Sequence, residues 1–372
     1  MIESGAFLYL TAFFRTLCPI PPVLTRNPVA QLALNALRSN MVTFTGTPGI
    51  EVNGVVIGYK AEYTERTSPE AKYNAIADLA TTILTDNGQF YIQLGEQLYD
   101  GDLRLSDKAV DDFGRPARYW EYDGKEIGTF VKKELLRQEW TGEVTGKDLY
   151  DLLTKSTIED KDYDFFIYVD GEDRYNASNG ASGVNTVFNK TQMNKNNKAG
   201  VGGTGTGVLT QVFLDANKHE VTVSVINTYL ARAKADYNEK RDEVSFNVYA
   251  IDKATANSTD YYWKNLDRPN DQKETMLVSG EDFDVAGVKE NDTFLVTVAD
   301  GEIQTLVAPE VISAATLDSF KKNSNVVAEG TTYKYTTTAQ YNVEVLDDYT
   351  GDSNYGVNLK DKHYNIYLDA YG

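Results

Sequence analysis

The spacing of apolar residues predicts helices in the first half of the chain. In residues 25–37, apolar side chains recur at helical spacing, and Asn27 followed by a proline supplies an N-cap and a first helical residue. A second stripe of the same period runs through residues 73–84, between a Ser-Pro-Glu start and an Asn-Gly end. Residues 147–153 predict a shorter helix, because Asp148 in its first turn is favoured by the helix dipole.

From residue 165 onward the hydrophobic period changes to two. Valines in segment 221–225 alternate with Thr222 and Ser224, and segments 244–248 and 294–298 show a similar pattern. This alternation predicts half-buried antiparallel strands. Hairpin turns are expected where a strand ends in Asp and a small residue, because Asp-Gly tolerates the positive φ of tight turns. These dipeptides are Asp170-Gly171, Asp215-Ala216, Asp300-Gly301 and Asp369-Ala370.

Together these patterns predict an α+β fold that is mostly β. We expect small antiparallel β modules, built as hairpins, barrels or sandwiches, with a few helices in the N-terminal half. Residues 176–207 are rich in Asn, Gly, Ser and Thr, which predicts a flexible loop or linker. The predicted units are an N-terminal segment 1–45, an α+β module 46–175, the linker 176–207, a β module 208–310 and the start of a further β module 311–372.

Charge and composition narrow the range of partners. The chain has 55 Asp and Glu residues against 36 Lys and Arg, and its net charge is −19. A chain this acidic does not attract phosphate backbones, so nucleic acid is not expected as a partner. The single cysteine, Cys18, excludes an internal disulfide. The apolar run 6–14 is far shorter than the ~20 residues of a membrane-spanning helix, and no membrane span is expected.

The residues that usually carry catalysis are poorly arranged in this sequence. The only histidines, His219 and His363, lack the spacing of a zinc site and are expected to be exposed beside turns. The glycines in 203–207 precede a strand-like segment, so they predict a loop rather than a phosphate cradle. Clustered carboxylates leave an acid-base enzyme open as a rival, but adjacent strand residues point to opposite faces. The prediction is therefore a protein without catalytic residues.

Two weaker binding features remain. Asp215, Asn217 and Glu220 place oxygen-bearing side chains around one turn and are the candidates for a weak calcium site, the one cofactor considered. The segment lacks the twelve-residue loop and terminal bidentate Glu of a full calcium site, so a metal-free hairpin turn is the simpler interpretation. The 25 tyrosines could form a carbohydrate-binding surface, although tyrosine also packs well on strands.

Residues 23–38, with the sequence VLTRNPVAQLALNALR, resemble the closing helix of an S-layer homology (SLH) repeat. The signature of that repeat is an apolar residue, Thr-Arg-Ala-Glu and then a helix rich in Ala and Leu. Thr25 and Arg26 match it, whereas Asn and Pro replace the Ala-Glu. Further segments resemble the long β-rich region that follows three such repeats in clostridial-type Gram-positive surface proteins. These segments are 50–63, 73–92, 113–122 and 212–231.

The resemblance implies a location and partners. In that family the repeats hold a pyruvylated cell-wall polymer, and the Thr-Arg of each repeat lines the binding groove, which makes Thr25 and Arg26 the expected remnant of such a site. Residues 1–45 would then be a truncated third repeat. We expect an extracellular protein of the cell wall or S-layer that contacts cell-wall polysaccharide and other surface-layer subunits. The predicted function is structural or interactive, with a carbohydrate-binding region of a secreted multidomain enzyme as the alternative.

Overall fold

The structure is a computed structural model that describes most of the chain. The described residues are 26–47, 49–52, 55–58, 60–76, 85–173, 203–249, 273–321, 325–334 and 363–371, with single positions 188, 193, 196, 199, 201 and 336. Within them the fold is mostly β with a few helices and small, largely antiparallel sheets, which confirms the predicted class.

The helices and strands are numbered in chain order. The α-helices are α1 (Arg26–Leu37), α2 (Leu94–Tyr99) and α3 (Gly146–Glu159), and short 3-10 helices occupy Ala71–Asn74 and Lys133–Leu135. The strands of the first half of the chain are β1 (Val42–Phe44), β2 (Ile50–Val52), β3 (Val55–Ile57), β4 (Tyr63–Glu65), β5 (Thr67–Ser68), β6 (Phe90–Tyr91), β7 (Leu103–Lys108), β8 (Ala117–Tyr122), β9 (Lys125–Val131), β10 (Leu136–Trp140), β11 (Asp164–Val169) and β12 (Glu172–Asp173). The later strands are β13 (Leu209–Asp215), β14 (Glu220–Ile226), β15 (Tyr229–Ala233), β16 (Glu243–Tyr249), β17 (Lys273–Ser279), β18 (Thr293–Ala299), β19 (Glu302–Val307), β20 (Glu310–Lys321), β21 (Asn325–Ala328), β22 (Thr331–Lys334) and β23 (His363–Leu368).

The chain divides into two compact units, and the division differs from the predicted ranges. Unit 1 comprises Met1–Lys108 and Arg118–Phe130, and unit 2 comprises Ala109–Ala117 and Val131–Gly372. Each unit therefore contains two separate stretches of chain. Hydrophobic periodicity does not predict this division, because it depends on neighbouring residues and not on the long-range contacts that hold a compact unit together.

Unit 1 has a small core around α2. Its buried apolar side chains are Ile76, Ile92, Leu103 and Leu105. The carboxylate of Glu96 is fully buried beside them and accepts hydrogen bonds from the backbone N–H groups of Ile76, at 3.2 Å, and Gln93, at 2.8 Å. The second of these bonds belongs to the capping box that starts α2.

Unit 2 contains two five-stranded sheets, in the orders β10-β13-β14-β11-β12 and β17-β16-β15-β18-β19. Buried residues from both sheets and from α3 form one hydrophobic cluster, to which Leu149, Val223 and Phe246 belong. The segment predicted as a linker also supplies buried apolar side chains to this cluster. These are Phe188, Met193, Ala199 and Val201.

The first and third predicted helices are confirmed as α1 and α3. The helix α1 ends at Leu37 as expected but starts at Arg26, one residue before the predicted N-cap. The helix α3 starts after Thr145, whose hydroxyl accepts the N–H of Asp148 at 3.2 Å. It kinks at Thr154, directly after the predicted end. The second predicted helix needs correction in its described part: Ser68, its predicted start, lies in β5, and of residues 73–76 only Tyr73 and Asn74 belong to a short 3-10 helix, while 77–84 lie outside the described residues.

The strand predictions hold for β16 and need correction for β14. In β16 the buried residues Val244, Phe246 and Val248 alternate with half-buried ones. The strand β14 pairs antiparallel with β13 but parallel with β11. Its polar residues Thr222 and Ser224 are buried as well, so the prediction of a half-buried strand was wrong there. The reason is that both faces of this central strand are covered, as is usual where strands pair in parallel.

The predicted hairpin turns are confirmed at two Asp-Gly dipeptides. Asp170 and Gly171 have φ values of 49° and 83° between β11 and β12, and Asp300 and Gly301 have 51° and 78° between β18 and β19. The β13–β14 hairpin also forms, although the positive φ there is at His219, 55°. The last sheet, β22-β21-β20-β23, has a small buried cluster of its own.

Candidate interaction surface

A single long β-hairpin extends through residues 42–65 of unit 1, and we call it the β-arm. The pair β1–β4 lies at its base and β2–β3 towards its tip, with a bridge between Thr47 and Lys60 in the middle. The two pairs and the bridge have the same offset, because three positions separate Phe44 from Thr47 on one strand and Tyr63 from Lys60 on the other.

Hydrogen bonds along the β-arm fix which side chains share a face. The N–H of Thr45 donates to the carbonyl of Glu62 at 2.8 Å, and the N–H of Lys60 donates to the carbonyl of Thr47 at 3.0 Å. The N–H of Gly46 also donates to the carbonyl of Glu62, at 3.0 Å, so two neighbouring N–H groups share one acceptor and the ladder is locally irregular in the middle of the arm. We call the described apolar side chains of the two ladders the apolar face: Val42, Phe44 and Tyr63 share one side of the β1–β4 pair with Glu65, and Ile50 lies opposite Ile57 in the β2–β3 pair. The opposite, polar face carries Thr43, Thr45, Thr47, Lys60, Glu62 and Thr64.

The apolar face is open to solvent. The exposed fractions of its side chains are 49% for Val42, 40% for Phe44, 73% for Ile50, 57% for Ile57 and 60% for Tyr63. The rings of Phe44 and Tyr63 make an edge-to-face contact, with centroids 5.5 Å apart, but this contact covers little of either ring. A group of exposed apolar side chains on one hairpin is uncommon on a soluble surface and marks a candidate site of interaction.

The base of the β-arm is held by unit 1. The N–H of Met41 donates to the carbonyl of Ile92 at 2.7 Å, and the N–H of Arg66 donates to the carbonyl of Met41 at 2.8 Å. Ile92 in turn donates to the carbonyl of Arg66 at 3.0 Å, and its side chain is only 5% exposed. A two-stranded hairpin is marginally stable alone, so this third segment stabilises the arm where it leaves the core.

Gly46 is required by the close approach of the two strands. A Cβ atom at this position would lie 1.9 Å from the carbonyl oxygen of Lys60 and 2.6 Å from the backbone nitrogen of Glu62. Any larger residue would therefore separate the strands in the middle of the arm.

Unit 2 contains a second group of functional side chains, but it is internal. The carboxylate of Asp170 accepts hydrogen bonds from the backbone and side-chain nitrogens of Asn227, both at 2.8 Å, and from the hydroxyl of Tyr229 at 2.6 Å. Asp170 is 3% exposed, and Asn227 and Tyr229 are fully buried. Because the donors surround the carboxylate below the surface, this group orders the turn after β11 and is not placed to meet a substrate.

The predicted cell-wall site is only partly described. Thr25 lies outside the described residues. Arg26 is the first residue of α1, and its side chain lies outside the described part of the structure. The role of this pair in binding a wall polymer stays a prediction.

The calcium candidates lie at the β13–β14 turn. The Oδ1 atom of Asp215 accepts the N–H groups of Asn217, at 3.0 Å, and Lys218, at 3.1 Å, while Glu220 faces Asp215 across the ladder. One carboxylate oxygen is thus used to close the turn. Among the residues that the structure describes, no group of three His, Cys, Asp or Glu side chains is arranged to hold a metal ion. Calcium binding stays a prediction.

The two histidines and the glycine segment lie beside a turn, within a strand and in the loop before a strand. His219 is exposed beside a turn, and His363 is exposed within β23, where its Nδ1 lies 3.1 Å from the hydroxyl of Thr316. The glycine segment 203–207 leads into β13 and not into a helix. Within it Thr204 is fully buried, and its hydroxyl accepts the N–H of Val144 at 3.1 Å.

Sequence reasoning did not identify the β-arm, although a signal was present. Asn53-Gly54 is the dipeptide most typical of a tight hairpin, and apolar residues alternate on both sides of it. These two residues lie outside the described structure.

Within the described residues, no helix combines the length and the hydropathy needed to cross a membrane. Protein-family models and curated proteins were compared with this sequence, and none of them matches it.

Proposed function

We propose that this chain is a non-catalytic structural or interaction protein of the bacterial cell surface, attached to cell-wall polymer through S-layer homology repeats. The observation that carries the proposal is the β-arm, a hairpin whose described apolar side chains, Val42, Phe44, Ile50, Ile57 and Tyr63, are exposed. Exposed apolar side chains grouped on one hairpin favour contact with another macromolecule, whereas an enzyme needs a concave site that encloses its substrate.

The charge of the chain and the resemblance support the same role. A net charge of −19 keeps a protein soluble and separate from other acidic molecules until a specific surface brings it into contact. The resemblance of residues 23–38 to the closing helix of an S-layer homology repeat supports a location at the wall, with cell-wall polysaccharide and other surface-layer subunits as partners.

Fractionation of native cells tests this proposal. Cells are separated into wall and cytosol, and the chain is located with an antibody, next to a known cytosolic enzyme as the control. We expect the chain in the wall fraction and its release by agents that extract wall-bound proteins without breaking covalent bonds. Recovery of the chain with the cytosolic control would overturn the surface role.

A carbohydrate-binding region of a secreted multidomain enzyme is the second candidate. It is favoured by an exposed pair of aromatic rings in unit 1, Tyr99 and Tyr122, whose centroids lie 5.9 Å apart and whose exposed fractions are 39% and 46%. Exposed rings of this kind present apolar faces on which a sugar can stack. Glycan-array binding that is lost in Tyr122→Ala and kept in Tyr367→Ala, which alters another exposed tyrosine, would support this candidate.

A further inference from the structure

We infer that residues 109–117, which we call the strap, couple the stability of unit 1 to that of unit 2. The strap belongs to unit 2, although the chain on both sides of it belongs to unit 1. It connects β7, which ends at Lys108, with β8, which starts at Ala117, and these two strands are neighbours in one sheet. This coupling does not depend on the proposed surface role.

The strap is an ordered turn that is held by its own hydrogen bonds. The Oδ1 atom of Asp111 accepts the N–H groups of Phe113, at 3.0 Å, and Arg115, at 2.9 Å. The guanidinium of Arg115 contacts the other oxygen of the same carboxylate, with Nε at 2.8 Å and Nη2 at 2.7 Å. The side chain of Asp111 is only 8% exposed, so these charge-assisted bonds hold the strap in one shape.

The centre of the strap is fixed inside unit 2. Phe113 is 8% exposed and belongs to a buried apolar cluster with Ile226 and Ala299. Its carbonyl accepts the hydroxyl of Ser224 at 2.8 Å, and Ser224 is fully buried on β14. Release of the strap would therefore expose an aromatic ring to water and break a buried hydrogen bond, and both changes are unfavourable.

Two glycines allow the strap to lie directly on the strand β11 and the turn that follows it. A Cβ atom on Gly114 would lie 1.9 Å from the Cγ atom of Tyr168, and one on Gly171 would lie 2.0 Å from the carbonyl oxygen of Asp112. Both glycines also have a positive φ, 74° and 83°. Only residues without a side chain permit so close an approach, which keeps the strap in van der Waals contact with unit 2.

The coupling follows from the entropy of closing a loop. Strands joined by so short a connection are antiparallel, so the two ends of the strap lie side by side, about 5 Å apart. Closing such a loop costs entropy, and the cost increases with the logarithm of the loop length. A strap that is held in unit 2 has already lost this entropy. The pair β7–β8 therefore opens less readily while the strap is docked.

Hydrogen exchange of the full chain without denaturant, measured by mass spectrometry on peptides from each unit, tests the inference. The release variant is Phe113→Ala with Ser224→Ala, which removes the ring and the hydrogen bond that hold the strap. The matched control is Val278→Ala, because Val278 is buried in the main cluster of unit 2 and not in that of Phe113. We expect exchange of the β7 and β8 amides to become at least about tenfold faster in the release variant and less than about twofold faster in the control.

Peptides from β14 and β16 show whether unit 2 stays folded in the release variant. Unchanged exchange in β7 and β8 would overturn the inference, and so would an equal acceleration in the control. If the double variant does not fold, Ser224→Ala alone replaces it, because this change removes only the hydroxyl that binds the carbonyl of Phe113. We expect a smaller acceleration in β7 and β8 from this variant, and its absence would count against the coupling.

Discussion

Replacement of Asp170 by asparagine tests whether the buried polar group of unit 2 stabilises the fold. Asp170 occupies a turn position with a φ of 49°, which asparagine also adopts readily, so the backbone is not strained by the change. What changes is the number of acceptors, because an amide has one carbonyl oxygen where the carboxylate has two. The second oxygen becomes an NH2 group that faces buried donors.

The magnitude follows from the hydrogen bonds. If the amide oxygen keeps the bonds from Tyr229 and from the side chain of Asn227, the NH2 group replaces the acceptor of the Asn227 backbone N–H. One bond to a charged group is lost, at about 1.5–3 kcal/mol, and the two that remain lose the negative charge that strengthened them. Removal of a buried charge offsets part of this loss. We expect Asp170→Asn to lower the free energy of unfolding by about 2–4 kcal/mol.

Asp300→Asn is the matched control. Asp300 has a φ of 51° in the second Asp-Gly turn of unit 2, but its side chain is exposed. Its replacement should change the free energy of unfolding by less than about 0.5 kcal/mol. Urea unfolding is followed by tryptophan fluorescence and by circular dichroism, and the midpoints are compared at equal slope. If the two variants are destabilised equally, the buried network does not stabilise unit 2 as argued.

Three further changes have expected outcomes. Thr145→Ala removes the N-cap of α3 and should lower the free energy of unfolding by about 1 kcal/mol in urea titrations. Gly171→Ala should cost about 2 kcal/mol or more in the same assay, because φ is 83° and the new Cβ would lie 2.0 Å from the carbonyl oxygen of Asp112. Glu96→Gln should reduce the loss of stability as pH rises: burial raises the pKa of Glu96, so the stability that it contributes is full at low pH and is lost as pH rises through that raised pKa.

Each of these predictions has its own contrary result. Gly301→Ala is the control for Gly171→Ala, because its φ is 78° and the space around the new Cβ is open. If both variants lose the same free energy of unfolding, close contact with the new Cβ is not the cause. An unchanged midpoint for Thr145→Ala would mean that the cap adds nothing measurable. For Glu96, urea midpoints between pH 4 and 8 that change in parallel in the native chain and the variant would refute the role of that carboxyl group.

Local signals were sufficient for several elements. The position of Asp148 in the first turn, which the helix dipole favours, supported the prediction of a helix at 147–153, and this predicted range ends at the residue before the kink in α3. The dipeptides at Asp170 and Asp300 predicted turns whose φ values are positive as expected. These features depend on interactions within a few residues, so the sequence near them contains the information that forms them.

The candidate surface could not be predicted in the same way. Alternation in residues 42–65 is compatible with a strand that packs one face on a core, and nothing local distinguishes that case from an arm whose apolar face is exposed. Thr222 and Ser224 show the converse. Their alternation with valines predicts the polar side of a half-buried strand, but both are buried in the structure. Which face is covered depends on distant segments, here the loop whose Phe113 carbonyl accepts the hydroxyl of Ser224 at 2.8 Å.

The sequence by itself determined the mostly-β class, the helices α1 and α3, and the two Asp-Gly turns, because each depends on periodicity or on short-range hydrogen bonds. Only the tertiary structure decided the parallel pairing of β11 with β14, the burial of residues from the Gly/Asn-rich segment, and the exposure of the apolar face of the β-arm. These follow from contacts between segments far apart in the chain, where the gain from burial depends on what the rest of the fold places opposite each strand.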